Sequence, residues 1–343
     1  MLDFAIEYLL SMAFMLVLFW ISLVSSEIDV LAASQSLLLL ESAPSRHASP
    51  LLSGYDAKYW ITADCFKAVS AQYGIVSIKE VFHPKRYMHE KAIEQRWAIC
   101  NAINGTPFIA QCIDSIDFLE TGYSYLVTKE TFGALSDYYP FSNEGGHLSQ
   151  VFSSHIMAEL AVAILSAHIA NIVHMNIRPK SVSFVKSEES KTTESALGDF
   201  GQLPLMELRR GVIITHTNHY LSTDNLKKYL HPLTISEGYQ GELVDWWAFS
   251  TILLEIVCGM RFLDIVPRDY SIPNSNFFQS PLCSKVPQED KHEMNAFFNH
   301  VFSESASINT LDENPERFFC MLLNLSYFQG LESVFSRVTI QCQ

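Results

Sequence analysis

Apolar and polar residues alternate differently in the two halves of the chain. Residues 59–61, 68–69 and 74–79 are short runs of β-branched and aromatic side chains separated by turn residues, which predicts a meander of strands. Apolar side chains then recur at helical spacing over residues 151–172 and again over 246–258. The second stretch is apolar nearly all round and is predicted to be a buried central helix. Strands followed by helices indicate an α+β chain with segregated lobes.

The N-terminal part has a different pattern. Residues 8–26 form an uncharged, almost wholly apolar run, long enough as a helix to cross a bilayer core of about 30 Å. We interpret residues 1–57 as this hydrophobic segment, a candidate transmembrane helix, followed by a linker. Two alternatives stay open: a signal peptide cleaved near the small residues 24–26, and a helix packed on its own domain. The nearest cations, Arg46 and Lys58, favour the C-terminal side as cytoplasmic.

Composition and charge narrow the classes of function. The chain has 343 residues, a net charge of −14 and no basic run, which argues against a nucleic-acid or anionic-membrane surface. Seven cysteines are dispersed without a C-x-x-C pair, so we expect buried reduced thiols in a cytosolic environment. We therefore expect a membrane-associated protein whose main domain is cytoplasmic, with a soluble cytoplasmic protein as the alternative.

Two motifs carry the chemistry. Residues 174–181 read H-M-N-I-R-P-K-S, and D-F-G follows at residues 199–201. Together they resemble the catalytic loop H-R-D-L-x-x-x-N and the metal loop D-F-G of protein kinases. The resemblance covers residues 58–343 and implies a bilobal protein kinase fold. It assigns residues 58–130 to a small β-rich lobe and residues 131–343 to a large helical lobe.

The resemblance also implies nucleotide-binding positions in the small lobe. Lys79 ends the run V-S-I-K, similar to the family's V-A-I-K, and would hold the α- and β-phosphates of ATP. Glu94 on the next helix is its expected ion-pair partner, with Glu90 one turn earlier as the runner-up. Thr128 falls at the gatekeeper position. Residues 129–131 follow as the hinge, whose backbone would meet an adenine ring.

The glycine-rich loop departs from the family pattern. The family has G-x-G-x-x-G-x-V, whereas residues 62–69 read T-A-D-C-F-K-A-V, so every glycine is lost. Val69 is kept, and the resemblance makes it a nucleotide-binding position. Glycines let backbone N–H groups approach phosphates closely, and the anionic Asp64 opposes that contact. Lys67 would offset the loss only in part.

The catalytic loop has lost two key side chains. Asn176 stands where the family has the catalytic base, and an amide cannot accept a hydroxyl proton as a carboxylate does. Ser181 stands where an asparagine holds a metal ion, and a hydroxyl is the weaker magnesium ligand. Arg178 replaces the loop lysine and keeps a cation near the transferring phosphate. Asp199 is retained as the metal aspartate.

Further landmarks follow in the family's order. Residues 245–250 read D-W-W-A-F-S, similar to the D-W-W-S-x-G that begins the family's central helix, where Asp245 would tie down the backbone of the catalytic loop. Residues 220–224 resemble the A-P-E region. The tail over residues 322–335 looks like the end of an AGC-group domain, in its ribosomal-protein kinase-like branch.

The resemblance and its losses together predict a pseudokinase: a signalling scaffold or allosteric regulator that binds ATP and Mg²⁺ weakly or not at all. Its partners would be proteins, with anchoring to a membrane through residues 8–26 and no nucleic acid. The alternatives are a low-activity Ser/Thr kinase that transfers the ATP γ-phosphate to protein hydroxyls, and a scaffold whose cleft is filled by its own side chains.

Two glycosylation sequences provide a test of topology. Residues 104–106 read N-G-T and residues 324–326 read N-L-S, both inside the kinase-like domain. They would be used only if that domain were luminal.

Overall fold

The computed structural model describes a sheet and its flanking residues first and a mainly helical region afterwards. The described residues are 52–62, 65–82, 97–118, 123–138, 148–187, 192–200, 207–209, 212–214, 228–232, 234, 241–259, 262, 278, 283, 288–303, 315–340 and 342. This order of a β-rich region and a helical region confirms the predicted bilobal kinase fold.

Five antiparallel strands form the sheet of the small lobe, in the order β1-β2-β3-β5-β4. Their bounds are Tyr55–Thr62 for β1, Cys65–Ser70 for β2, Gly74–Phe82 for β3, Cys112–Phe118 for β4 and Tyr123–Lys129 for β5. Gly74, with a φ of 72°, ends the tight turn between β2 and β3 and adopts a left-handed conformation that glycine tolerates. The predicted strand meander is confirmed.

The two faces of this sheet differ in polarity because successive side chains in a strand point to opposite faces. One face forms an apolar core that includes Phe66, Val76, Ile78 and Val127. The other face carries Lys79, which contacts Asp199 of the large lobe. The cleft between the lobes therefore opens on the polar face.

Two long helices form the centre of the large lobe. Helix α1, Gln150–Ile169, starts at Ser149, whose hydroxyl accepts the N–H of Phe152, and its residues are mostly buried. Helix α2, Leu243–Cys258, is buried on nearly every side, which confirms the predicted central helix. Helices α3, α4 and α5, at Gln288–Ser303, Pro315–Leu323 and Glu332–Phe335, pack around them.

Short hairpins connect these helices. Strands β6, Val182–Lys186, and β7, Thr193–Leu197, form one antiparallel pair. Strands β8, Glu207–Arg209, and β9, Val212–Ile214, form another. The catalytic loop lies between α1 and β6, so the core of the large lobe positions it.

Within the described residues, α1 is the one helix long and apolar enough to cross a bilayer. Most of its apolar stretch is buried inside the domain, as expected of a core helix. The candidate transmembrane segment over residues 8–26, and the linker after it, lie outside the described residues.

Three disulfide bonds correct the prediction of reduced thiols. They join Cys100 to Cys112, Cys258 to Cys283 and Cys320 to Cys342. Six of the seven cysteines are therefore paired. The pattern was hidden in the sequence because the partners lie 12 to 25 residues apart and meet only in the fold.

Candidate functional site

One buried carboxylate holds the catalytic loop. Asp245, in the first turn of α2, accepts the backbone N–H groups of His174 and Met175, each at 2.7 Å. His168 Nε2 lies 3.0 Å from the same carboxylate. Met175 has a φ of 62°, a strained conformation for a side chain of its size, and the surrounding bonds stabilise it. The predicted role of Asp245 is confirmed.

His174 connects the catalytic loop to the metal loop. Burial lowers its pKa, although the Asp245 and Asp199 carboxylates act in the opposite direction, so the imidazole is neutral near pH 7. Its Nε2 lies 2.6 Å from the carbonyl oxygen of Gly198, which can only accept, so Nε2 carries the proton. Nδ1 then accepts the backbone N–H of Asn176 at 3.2 Å.

Aromatic side chains of the catalytic loop and the metal loop also pack against each other. The rings of His174 and Phe200 have centroids 4.4 Å apart, in an edge-to-face arrangement typical of aromatic pairs. Phe200 is buried in the core of the large lobe. The internal architecture around the metal loop is therefore retained.

The hydroxyl of Ser181 is engaged by its own loop. Ser181 Oγ donates to the carbonyl oxygen of Arg178 at 2.8 Å and accepts the N–H of Arg178 at 3.0 Å. The side chain is 1% exposed, and its backbone carbonyl accepts the N–H of Gly198 at 2.8 Å. A hydroxyl with one proton and two lone pairs has little capacity left for a metal ion. Ser181 closes the loop instead.

Asn176 and Arg178 are both partly exposed at the mouth of this loop. The backbone N–H of Asn176 is used by His174, which fixes the position of the residue. Its amide can orient a hydroxyl by hydrogen bonding but has no basic site for that hydroxyl's proton. Arg178 supplies a permanent positive charge beside it.

Lys79 and Asp199 meet across the cleft. Lys79 Nζ lies 2.5 Å from Asp199 Oδ1, and both side chains are largely buried. Asp199 has a φ of 66°, in the left-handed region that residues other than glycine rarely adopt. Strain of this kind is concentrated at functional sites. These two predicted residues are brought together.

Several predicted positions lie outside the described residues. They are Glu94 and Glu90, the two candidates for the ion pair with Lys79, Asp64 of the degenerate loop, and the A-P-E-like residues 220–224. The ion pair between Lys79 and Glu94 stays a prediction.

The register of the β2–β3 hairpin decides which residue covers the hinge. Because residues opposite each other in an antiparallel pair share a face, the pairing of Cys65 with Lys79 and of Lys67 with Ser77 puts all four on the cleft side. Val69 pairs with Ile75, near the turn, and is 38% exposed. The structure therefore brings Lys67, and not Val69, over the hinge.

Lys67 crosses from the sheet to the hinge. Its Nζ lies 2.5 Å from Glu130 Oε1 and 4.6 Å from the ring centroid of Phe132, a cation–π contact. The Tyr59 ring lies on its other side, at 5.8 Å. Only 8% of the residue is exposed. We call this arrangement the Lys67–Glu130 latch.

A second contact joins the sheet to the hinge directly. Ser77 Oγ accepts the backbone N–H of Thr131 at 2.9 Å and lies 2.9 Å from Thr131 Oγ1. Thr128 pairs with Ser77 in the sheet, and its hydroxyl donates weakly to the Ser77 carbonyl at 3.4 Å. The hinge N–H of Thr131, which the kinase resemblance would offer to an adenine ring, is thus already bonded.

The site fits ATP and Mg²⁺ only in part. Lys79 and Asp199 are the groups that would hold phosphates and a metal ion. The hydroxyl at the second metal position, Ser181, is bonded within its loop. At the adenine end, Lys67 and Thr131 have partners within the protein. Among the described residues, Lys79 and Asp199 are thus the ones whose chemistry fits the nucleotide and its metal ion.

These elements define a protein kinase domain, and the sequence comparison agrees. Residues 62–311 match the protein kinase domain family. The chain therefore belongs to the protein kinase family, whose members in general use ATP and Mg²⁺.

The chain is also similar to curated Ser/Thr kinases, some of them AGC-like. It is 21% identical over 268 residues to the probable serine/threonine protein kinase IRE of Arabidopsis thaliana, covering 70% of this chain and 22% of that protein. It is 25% identical to the cAMP-dependent protein kinase catalytic subunit PRKX of Mus musculus, over 54% of this chain and 46% of that protein. It is 24% identical to the serine/threonine-protein kinase gad8 of Schizosaccharomyces pombe, over 55% of this chain and 30% of that protein. The chain spans less than half the length of each of these relatives.

Sequence reasoning missed the part that Ser77, Glu130 and Thr131 play at the hinge. A signal was present: counting back from Lys79 through the turn at Gly74 places Lys67 opposite Ser77. Aligning the glycine motif on Val69 instead shifts the assignment by two residues along the same strand face.

Proposed function

We propose that this protein is a pseudokinase whose nucleotide cleft is closed by its own side chains, and that it acts as a scaffold or allosteric regulator of partner proteins. The observation that carries the proposal is the Lys67–Glu130 latch, which occupies the space between the sheet and the hinge. Among the three interpretations that the sequence allowed, this favours a filled cleft.

Electrostatics favour a latch that stays closed. Lys67 is nearly fully buried, and a buried charge that loses its partner is strongly destabilising. An adenine ring entering the cleft would have to separate Lys67 from Glu130 and would offer the ammonium group no carboxylate in return. Nucleotide binding is therefore opposed by the free energy needed to move Lys67 into solvent or to leave its ammonium group buried without a carboxylate partner.

Chemistry in the catalytic loop supports the same proposal. General-base catalysis contributes roughly 10²–10⁴ in rate, and Asn176 has no basic group to supply it. Ser181 hydrogen-bonds Arg178, which leaves Asp199 as the firm metal ligand. Even a nucleotide that entered the cleft would meet an incomplete site.

The retained parts are those that hold the inside of the large lobe together. Asp245 still ties down the loop, and His174 still stacks on Phe200. These internal bonds maintain the fold whether or not the protein catalyses a reaction. A protein that acts by binding partners needs such a fold. We place it in the AGC group, in the ribosomal-protein kinase-like branch suggested by its tail, with membrane association through residues 8–26.

A low-activity Ser/Thr kinase is the second candidate. The bond between Lys79 and Asp199, at 2.5 Å, favours it, because both groups belong to the phosphate and metal site. In that case Asn176 would orient the substrate hydroxyl, and the latch would open to admit ATP.

Thermal unfolding of the full-length chain tests the proposal. We expect ATP at millimolar concentration, with or without Mg²⁺, to leave the midpoint of the wild-type protein unchanged. Lys67→Val should gain a Mg²⁺-dependent shift, because ligand at a hundred times its Kd stabilises by about 2.7 kcal/mol. The matched control is Lys58→Val, which removes an exposed cation from β1 of the same sheet.

A Mg²⁺-dependent shift in the wild-type protein that disappears in Asp199→Ala would contradict the filled cleft and support the low-activity kinase. If neither the wild type nor Lys67→Val responds to ATP, Lys67 is not what closes the cleft.

A further inference from the structure

Three disulfide bonds are unexpected in a chain of this size. Small secreted domains use disulfides because their cores are insufficient, but 343 residues provide ample core. Here the pairs close loops in both lobes. Cys100 is bonded to Cys112, the first residue of β4, in the small lobe, and Cys258 is bonded to Cys283 in the large lobe. In a reducing compartment such cysteines would stay as free thiols. The pairs therefore point to the environment in which the chain folds.

Both glycosylation sequences lie inside disulfide-closed loops. Asn104 follows Cys100 by four residues, and Asn324 follows Cys320 by the same spacing. Each asparagine stands at the end of a helical segment, bonded through its backbone N–H to a carbonyl three or four residues earlier. Both side chains are exposed.

The space around these asparagines suits a bulky group. Gly105, with a φ of 83°, turns the chain sharply after Asn104, and no described atom lies within 4 Å of where its Cβ would stand. Asn324 lies just after the end of α4, and its Nδ2 donates to the carbonyl oxygen of Cys320 at 3.1 Å. An oligosaccharide at either position would extend into solvent, where glycans are found.

We propose that the kinase-like domain faces an oxidising secretory lumen, and that Asn104 and Asn324 each carry an N-linked oligosaccharide. The pairing of cysteines and the exposure of both acceptor asparagines are separate observations that indicate the same compartment. This topology is the opposite of the cytoplasmic one expected from Arg46 and Lys58, and it agrees with residues 8–26 acting as a signal peptide or a signal anchor.

Both covalent steps use reactants of that compartment. In glycosylation, Asn Nδ2 forms a bond to the anomeric carbon of a lipid-pyrophosphate-linked oligosaccharide. The bond from that carbon to the pyrophosphate oxygen breaks, and the amide releases one proton. In disulfide formation, two thiols pass two electrons and two protons to a protein disulfide, which leaves as two thiols.

Mass spectrometry of the full-length chain, made in a eukaryotic cell with its own N-terminal residues, tests the proposal. Thiols are alkylated at lysis, so that air cannot oxidise them, and the denatured chain is weighed before and after a peptide N-glycosidase. We expect the mass of two oligosaccharides to be lost, and six fewer alkylated thiols without prior reduction than after it.

Matched variants assign the sites. Asn104→Gln and Asn324→Gln should each remove one oligosaccharide, whereas Asn101→Gln, an exposed asparagine outside any acceptor sequence, should remove none. Because every mass is taken on denatured protein, a variant that folds poorly still gives a result. An unchanged mass after the glycosidase, or equal alkylation with and without reduction, would overturn the proposal.

Discussion

At the scale of the single residue, the most consequential side chain is Ser181. An asparagine at this position has an amide long enough to reach a metal ion while its N–H₂ group bonds the loop. The serine hydroxyl reaches only Arg178, which it contacts as donor and acceptor at once. One shortened side chain thus gives the loop a closing bond at the position where the resemblance predicts a metal ligand.

Restoring the catalytic residues alone should not restore activity. We expect Asn176→Asp combined with Ser181→Asn to show no phosphotransfer to a generic basic protein, because Lys67 still bridges to the hinge. Adding Lys67→Val should make phosphotransfer detectable, because the nucleotide can then reach a site in which the restored base contributes roughly 10²–10⁴ in rate. Incorporation of labelled γ-phosphate measures this.

In the control for that experiment, Lys58→Val replaces Lys67→Val on the same double-variant background. Equal rates for the double and triple variants would show that the latch does not limit nucleotide entry.

Residue identities at the site were readable from the sequence, but residue contacts were not. The losses at Asn176 and Ser181 follow from the motif alone. That Glu130 accepts the Lys67 ammonium group does not, because the two residues are 63 positions apart and belong to different elements.

At the scale of the element, the register of the β2–β3 pair determines which residue of β2 faces the hinge, and sequence patterns could not predict it. The strands of the small lobe and the two central helices were predicted from their periodicities. The motif puts Val69 at the nucleotide, whereas the residue that contacts the hinge is Lys67, because a motif gives order along a strand without its cross-strand partner. The turn at Gly74 fixes that partner and puts Ile75 opposite Val69.

A buried glutamate links helix α1 to strand β7 and makes stability depend on pH. Glu159 Oε2 accepts the backbone N–H of Ser195 at 2.7 Å. Burial raises the pKa of Glu159 from 4.5 to about 7, although the bond from Ser195 acts in the opposite direction. The unfolded chain loses this proton near pH 4.5 and the folded chain near pH 7, so stability falls as the pH rises between these values.

Glu159→Gln, which mimics the protonated carboxyl, should remove this dependence. Relative to wild type, we expect its free energy of unfolding to rise by about 3 kcal/mol between pH 4 and pH 8. Urea unfolding across that range measures the difference. Glu332→Gln, which removes an exposed carboxylate from α5, is the control. A difference between Glu159→Gln and wild type that stays constant across this pH range would contradict the raised pKa of Glu159.

At the scale of the whole molecule, the order of landmarks along the chain made the fold predictable. Strands, catalytic loop, metal loop and central helix follow one another along the chain in the order typical of the family. The central helix, which carries the buried Trp246 and Trp247, was predicted from its apolar pattern. The three disulfides were not predictable, because Cys258 and Cys283 meet only after α2 has packed. How the cysteines pair was therefore the part of the fold that the sequence could not predict.

The stability of the whole domain should depend on one buried ion pair in the large lobe. Lys228 bonds Glu255 of α2, and both residues are buried. Glu255 also accepts the N–H of Phe262 at 2.7 Å and the hydroxyl of Tyr229 at 2.9 Å, so this carboxylate joins three segments of the chain. Removing the lysine would leave a buried negative charge without its cation, which is more costly than losing the pair altogether.

We expect Lys228→Met to lower the free energy of unfolding by about 3 kcal/mol at pH 7, measured by urea unfolding under non-reducing conditions so that the disulfides stay closed. Lys186→Met, at an exposed position in β6, is the matched control and should change stability by less than about 0.5 kcal/mol. A deficit equal to that of Lys186→Met would mean that the other bonds to Glu255 are sufficient to hold the centre of the large lobe.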